Sequence, residues 1–217
     1  MSDTAVQNDR GISAERRVAE RKSPMLRTAK VVCQSGEYVC LIRHISQDGL
    51  GLSYLHDTPP EARIILQTTN GLTYPIERAW EGRRQAAYRF ASDIAIEEFL
   101  HEESPFATRP VRLNIAAEAR IADGQMFAKV QLIDISREGA KFESRGEHPQ
   151  GRLISFDALG LPQRLAEVRW QDGQTYGIQF QHPLSINQLA EMALRLQPFA
   201  AQIPDPVGSK QASARAA

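Results

Sequence analysis

Three arginines lie close together near the start of the chain. Arg16, Arg17 and Arg21 fall within the segment ERRVAERK at 15–22. A guanidinium group is planar and can bind phosphate oxygens in pairs. The same group can address O6 and N7 of guanine and can stack on a purine ring. The segment is therefore a candidate nucleotide site, with a solvated charge run as the alternative because two glutamates partly neutralise it.

A short polar pattern, xISxxG, occurs twice in the chain, at 44–49 and at 134–139. In an extended strand, residues two positions apart point to the same side. The first and third residues of each copy therefore share one face: His44 with Ser46, and Asp134 with Ser136. A carboxylate on such a face can accept the N1 and N2 hydrogens of a guanine base.

Each copy of this pattern closes with a glycine, Gly49 in the first and Gly139 in the second. Glycine permits a positive φ or the close approach of a ligand. The alternative is a plain turn motif, in which the Asp and Ser side chains cap the backbone. Both interpretations remain open at this point.

Catalytic patterns are missing from the sequence, which contains no GxGxxG, P-loop, HExxH, GxSxG or CxxC. The five histidines never fall at the spacing of helical metal ligands: His44, His56, His101, His148 and His182. We therefore expect no enzyme, no metal and no cofactor.

The chain repeats itself at an offset of 90 positions. Several pairs of identical residues keep this register, among them Ile45 with Ile135, Ser46 with Ser136, Gly49 with Gly139, Trp80 with Trp170, Phe90 with Phe180, and Ile96 with Ile186. Chance hardly supplies six matches in one register. The sequence is a duplication of a unit of about 100 residues.

Each unit reads as six short strands followed by a helix. The predicted strands of the first unit are 27–33, 38–45, 49–55, 63–68, 73–80 and 86–91, and those of the second are 117–122, 127–134, 139–144, 152–157, 163–170 and 175–181. Helices are predicted at 94–103 and 185–197, the second with Ser185 as its N-cap. Six short antiparallel strands suit a small closed barrel. We expect the two repeated Trp residues and the two repeated Phe residues to be core residues: Trp80, Trp170, Phe90 and Phe180.

Composition and the positions of turn and loop residues suggest where the domains begin and end. The 217 residues carry 26 basic and 26 acidic side chains, a balance that argues against a bulk attraction to DNA, RNA or a membrane surface. No apolar run is long enough to span a bilayer and no signal peptide is recognisable, so we expect a cytoplasmic protein. The predicted organisation is a flexible N-terminus, two domains joined by a linker, and a disordered tail: 1–13, 14–103, 104–108, 109–200 and 201–217.

Together these features resemble the PilZ family. Its pattern is RxxxR before the first strand and then [D/N]xSxxG on the barrel. The first unit supplies Arg17-Val-Ala-Glu-Arg21, preceded by Arg16, and then HISQDG at 44–49. The resemblance covers roughly 15–100 and 108–198 and implies a mainly β fold, with two tandem six-stranded antiparallel barrels, each followed by a C-terminal helix. It also implies a ligand, the second messenger cyclic di-GMP, held between the arginines and the Asp/Asn and Ser side chains.

Each unit departs from this family pattern in one half. The first has His44 in place of Asp or Asn, and a neutral imidazole accepts only one hydrogen bond. The second has the complete DISREG, but its arginines read Arg109-Pro-Val-Arg112 instead of RxxxR. The first predicted site is therefore Arg16, Arg17, Arg21, His44, Ser46 and Gly49. A second or composite site would use Arg109, Arg112, Asp134, Ser136 and Gly139.

The resemblance implies a non-catalytic receptor that passes the level of cyclic di-GMP to a partner protein in control of motility, polysaccharide synthesis or biofilm. An unidentified protein partner is expected, DNA or RNA is not, and a homodimer is open. The alternative is a degenerate PilZ adaptor that binds proteins and no nucleotide.

Overall fold

A computed structural model describes residues 26–100, 110–124 and 126–199. The first barrel consists of β1 (Arg27–Val32), β2 (Glu37–Ser46), β3 (Gly49–Tyr54), β4 (Arg63–Gln67), β5 (Thr73–Gly82) and β6 (Gln85–Phe90), followed by α1 (Ile96–Leu100). The second consists of β7 (Arg112–Asp123), β8 (Met126–Ser136), β9 (Gly139–Glu143), β10 (Leu153–Ala158), β11 (Arg164–Asp172) and β12 (Thr175–Phe180), followed by α2 (Ile186–Leu196). The predicted flexible N-terminus, linker and tail lie outside the described residues.

The two units have the same topology. Their strands close in the orders β1-β2-β3-β6-β5-β4 and β7-β8-β9-β12-β11-β10, all antiparallel. The predicted fold of two closed six-stranded barrels is confirmed, and closure leaves no free edge among the twelve described strands. All twelve predicted strands are present, with ends that differ by a few residues. The largest difference is β7, which begins at Arg112 rather than at 117.

Each barrel is filled by the inward side chains of its strands. The first is packed around Tyr38, Tyr88 and Leu52, and the second around Phe142 and Phe156, all at most 2% exposed. Complete burial of one such side chain stabilises the fold by about 1.5–3 kcal/mol. The side chains that alternate to the inner face of each strand therefore form the core of both barrels.

The two tryptophans contradict the predicted core. Trp80 is 57% exposed and Trp170 is 44% exposed. A β-bulge precedes each of them, between Arg78 and Trp80 and between Val168 and Trp170. The extra residue of a bulge shifts the alternation by one position, so each indole points outwards. Phe180 is 3% exposed, as predicted, and Phe90 is only partly buried against the core.

Helix α2 begins with the capping box that Ser185 predicts. The Ser185 hydroxyl accepts from the Gln188 amide at 3.2 Å, and the Gln188 side chain accepts from the Ser185 amide at 3.0 Å. Such a cap contributes about 1 kcal/mol. The helix buries Leu189 and Met192 and packs against β7 and against β2 of the first barrel. It therefore lies between the two units.

Helix α1 is shorter than predicted in the described part of the chain. It is anchored by Arg27, whose guanidinium donates to the carbonyl oxygens of Phe99 at 3.0 Å and Leu100 at 2.5 Å. A cation at the C-terminal end of a helix also complements its dipole. No helix among the described residues is long and apolar enough to cross a membrane.

Candidate functional site

The predicted site residues within the described chain lie at the same end of their own barrel. His44 and Ser46 end β2 and Gly49 begins β3, while Asp134 and Ser136 end β8 and Gly139 begins β9. Arg112 is the first residue of β7 and is paired in register with Ser136. Four predicted residues lie outside the described chain: Arg16, Arg17, Arg21 and Arg109.

A bulge in each of these strands sets which side chains face outwards. It falls between Ile42 and His44 in β2, and between Leu132 and Asp134 in β8. After the bulge Ile45 and Ile135 point into the core, at 1% and 0% exposed. Their neighbours therefore face outwards together, His44 with Ser46 and Asp134 with Ser136, as the alternation predicts.

The glycines of the two motifs are required by the neighbouring strand. Neither Gly49 nor Gly139 has a positive φ, so the first of the two roles that a glycine permits here does not apply. A β-carbon at Gly139 would collide with the carbonyl oxygen of Ile178, and one at Gly49 with that of Tyr88. Only a residue without a side chain allows β9 to approach β12 this closely, and the same holds for β3 and β6.

The motif serines close the tight connections between the strands. The Ser46 hydroxyl donates to the Gly49 carbonyl at 3.2 Å, and the Ser136 hydroxyl does the same to Gly139. Ser136 is fully buried, whereas Ser46 is half-buried. The turn interpretation therefore accounts for the serine of both motifs, and the close approach of the neighbouring strand accounts for the glycine. The chemistry that distinguishes the copies lies at positions 44 and 134.

In the first barrel His44 is exposed and lies across Gly51, where any β-carbon would collide with the imidazole. Pairing continues from Gly51 to Ala87 and from Ala87 to Trp80. Residues that pair directly across strands point to the same side. This outward row thus has an imidazole at one end, an exposed indole at the other and two small residues between them.

In the second barrel the same row carries charge. Asp134 is 6% exposed, and its Oδ1 accepts from a terminal nitrogen of Arg112 at 2.6 Å. The Nζ of Lys141 lies 4.0 Å from its Oδ2. Pairing runs from Asp134 to Lys141, then to Gly177 and Trp170, and the indole lies over Gly177. One face therefore combines a carboxylate, two cations and an exposed aromatic ring.

This arrangement suits a purine nucleotide. The carboxylate can accept from guanine N1 and N2, the guanidinium and ammonium can bind phosphate, and the indole offers a stacking surface. The sequence prediction missed Lys141 and Trp170. The 90-residue repeat places both tryptophans at equivalent positions, but only the strand register shows that they share a row with positions 44 and 134.

Comparison with known proteins gives one family model and several solved structures. A family model described as the PilZ domain matches residues 105–196. The structure of Borreliella burgdorferi PlzA in complex with c-di-GMP is similar at 15% identity, with a TM-score of 0.34 over 77% of this chain and 87% of that one. The structure of Bacillus subtilis MotI/DgrA, an inhibitor of motility, is similar at 9% identity, with a TM-score of 0.35 over 77% and 93%.

A third solved structure, Escherichia coli YcgR in complex with c-di-GMP, is 12% identical, with a TM-score of 0.29 over 71% of this chain and 76% of that one. No curated protein matches the sequence. The family model covers the second barrel, and the first barrel repeats its strand order. The resemblance to the PilZ family is thus confirmed for the second barrel by its family model, and the two barrels of equal topology fit a tandem arrangement of such domains.

Proposed function

We propose that this protein is a non-catalytic receptor for cyclic di-GMP that acts in the cytoplasm on a protein partner. The observation that carries the proposal is the outward face of the second barrel. There the Asp134 carboxylate is buried beside Ser136 and held 2.6 Å from the Arg112 guanidinium. Acceptors for guanine and a donor for phosphate are thus assembled in one place.

Binding at this face requires an exchange of partners. The Arg112 side chain is 49% exposed, whereas that of Asp134 is 8% exposed. The arginine can therefore turn towards a phosphate while the carboxylate, which stays in place, accepts the guanine hydrogens. Arg109 would add a further cation to Arg112 and Lys141. The exchange replaces one ion pair by two charge-assisted contacts with the ligand.

The site on the first barrel remains a second assignment of the same function. There, phosphate would be bound beside His44 and Ser46 by the arginine segment, which contains Arg16, Arg17 and Arg21. The exposed Trp80 at the far end of that row would offer a stacking surface. The two sites also allow a composite, with the arginine segment of the first unit reaching Asp134 of the second.

Calorimetric titration tests both the proposed function and the assignment of the ligand to one of the two barrels. We expect heat with cyclic di-GMP and none with GTP or cyclic AMP at tens of micromolar ligand. If the arginine segment contributes, Arg17→Ala and Arg21→Ala each weaken binding at least tenfold, because a lost charge-assisted contact is worth about 1.5–3 kcal/mol. Unchanged affinity in both variants assigns the ligand to the second barrel alone. No heat with the unaltered protein overturns the proposal.

The two tryptophans allow fluorescence to identify which barrel binds the ligand. Stacking of a base on an aromatic side chain contributes about 1–3 kcal/mol, so Trp170→Ala should weaken binding about tenfold. We also expect ligand to quench the emission of the unaltered protein and of Trp80→Phe, but hardly that of Trp170→Phe. The chain has only these two tryptophans, so the assignment is direct. Quenching that is lost in Trp80→Phe instead would place the ligand on the first barrel.

An adaptor without a ligand is the second candidate, and one surface favours it. Met126, Phe127, Leu153 and Leu165 are 76%, 78%, 51% and 55% exposed on the second barrel. Phe127 and Leu165 lie in one outward row of paired positions with Ala122 and Ser155 between them. An exposed apolar surface of this kind suits contact with another protein or a second copy of the chain. Absence of ligand heat, together with loss of a partner in Phe127→Ser, would support this candidate.

A further inference from the structure

We propose that Lys30 and Glu37 of the first barrel are positioning residues for the ligand site of the second barrel. The inference rests on the proposed function. Neither residue lies on the row that contains Asp134. Both act through two residues at the start of β7: Arg112, which binds the Asp134 carboxylate, and Asn114, which is the strand partner of Asp134.

Lys30 reaches the second barrel from the outer face of β1. It is only 7% exposed, and its Nζ lies 2.6 Å from Glu37 Oε2 and donates to the carbonyl oxygen of Arg112 at 2.9 Å. A buried ammonium must be paired or its burial costs several kcal/mol. Lys30 therefore ties the main chain of Arg112 to the first barrel, while the side chain of Arg112 holds Asp134.

Glu37 holds the next outward residue of β7 through both of its oxygens. The main-chain amide of Asn114 donates to Oε2 at 2.8 Å, and its side-chain amide donates to Oε1 at 2.8 Å. Gln197 closes the ring, since its side chain donates to the Asn114 carbonyl at 3.0 Å and accepts from the Glu37 amide at 2.8 Å. The two sides of the ring come from different barrels.

The register shows why this clamp bears on the site. Arg112 is the strand partner of Ser136, and Asn114 is the strand partner of Asp134. A bulge between Asn114 and Ala117 separates these residues from the rest of β7. Because regular pairing is interrupted there, the start of β7 depends on other contacts for its position. Besides its pairing with β8 and the contact from Gln197, this segment is held by Lys30 and Glu37, so the first barrel helps to set the distance between Arg112 and Asp134.

The test is the affinity of full-length variants for cyclic di-GMP by calorimetry. Lys30→Met should weaken binding at least tenfold, because the Arg112 main chain loses its support. Arg63→Met is the matched control, since Arg63 also lies in the first barrel and pairs with Glu77, but its side chain is 83% exposed. We expect this control to bind as the unaltered protein does.

A double variant separates positioning from stability. Replacement of a buried ion pair by two apolar side chains often preserves stability, whereas removal of one partner does not. Lys30→Met with Glu37→Leu should therefore unfold near the midpoint of the unaltered protein and still bind at least tenfold more weakly. Glu37→Gln should speed hydrogen exchange of the Asn114 amide and leave that of Ala119, beyond the bulge, unchanged.

The outcomes are distinct. Tight binding by the unaltered protein with unchanged affinity in Lys30→Met and in the double variant overturns the positioning role and leaves the receptor standing. No binding by the unaltered protein overturns the receptor, and the positioning role with it. Weak binding by the double variant at undiminished stability supports both.

Discussion

Asp134→Ala is expected to weaken cyclic di-GMP binding by about thirtyfold. Two charge-assisted hydrogen bonds to a guanine edge contribute about 3 kcal/mol, and release of the half-exposed Arg112 from its ion pair returns up to about 1 kcal/mol. The net loss of about 2 kcal/mol corresponds to about thirtyfold in the dissociation constant. Calorimetry measures it directly. Asp172→Ala, at an exposed position on the same barrel, is the control.

The fold should tolerate this change. The Arg112 side chain is 49% exposed, so water can solvate it once the carboxylate is gone. We therefore expect Asp134→Ala to unfold cooperatively near the midpoint of the unaltered protein. Asp134→Asn should lose less affinity, because one acceptor oxygen remains. If Asp134→Ala binds normally while Arg17→Ala and Arg21→Ala do not, the ligand belongs to the first barrel.

Gly139→Ala is expected to destabilise the second barrel by about 3 kcal/mol or more. The new β-carbon would collide with the Ile178 carbonyl oxygen and lie 3.1 Å from its carbonyl carbon. Strand β12 cannot easily move away, because it is paired with β9 on one side and with β11 on the other. For a barrel of this size the unfolding midpoint should fall by roughly 12–24 °C, as followed by circular dichroism.

Gly124→Asn provides the comparison for this prediction. Gly124 also belongs to the second barrel, but its φ is +61° and no atom lies within 4 Å of a β-carbon built there. Asparagine tolerates a left-handed backbone, so the cost should stay below about 1 kcal/mol. A Gly139→Ala protein of normal stability that no longer binds ligand would contradict the structural role. It would mean that the motif glycine serves the approach of the ligand.

The repeat, the strands and the barrel class follow from the sequence because they rest on short-range physics. Alternating apolar residues specify which face of a strand is buried, and turn residues such as Asp48-Gly49 and Asp172-Gly173 mark where strands end. These signals act over a few residues and are the same in both units. The twelve strands were therefore predictable one by one, and closure into barrels followed from their number and length.

The β-bulges determine which side chains face outwards, and the sequence pattern does not show where these bulges lie. The alternation predicts buried tryptophans, yet one extra residue before each turns Trp80 and Trp170 outwards. A bulge is a property of two paired strands, so it has no local signal in either of them. The same feature allows β7 to begin at Arg112, because its first residues pair with β8 and with the first barrel at once.

The candidate site was likewise predictable only in part from the sequence. The types and spacing of Asp134, Ser136 and the glycine after them were visible in the sequence and pointed to guanine chemistry. Arg112 was also named with the carboxylate, but Lys141 and Trp170 were not, since they reach the row from two other strands, β9 and β11. Which side chains become neighbours on a barrel surface depends on the register of every intervening strand pair. Only the tertiary structure determines that register, because barrel closure couples all six strands at once.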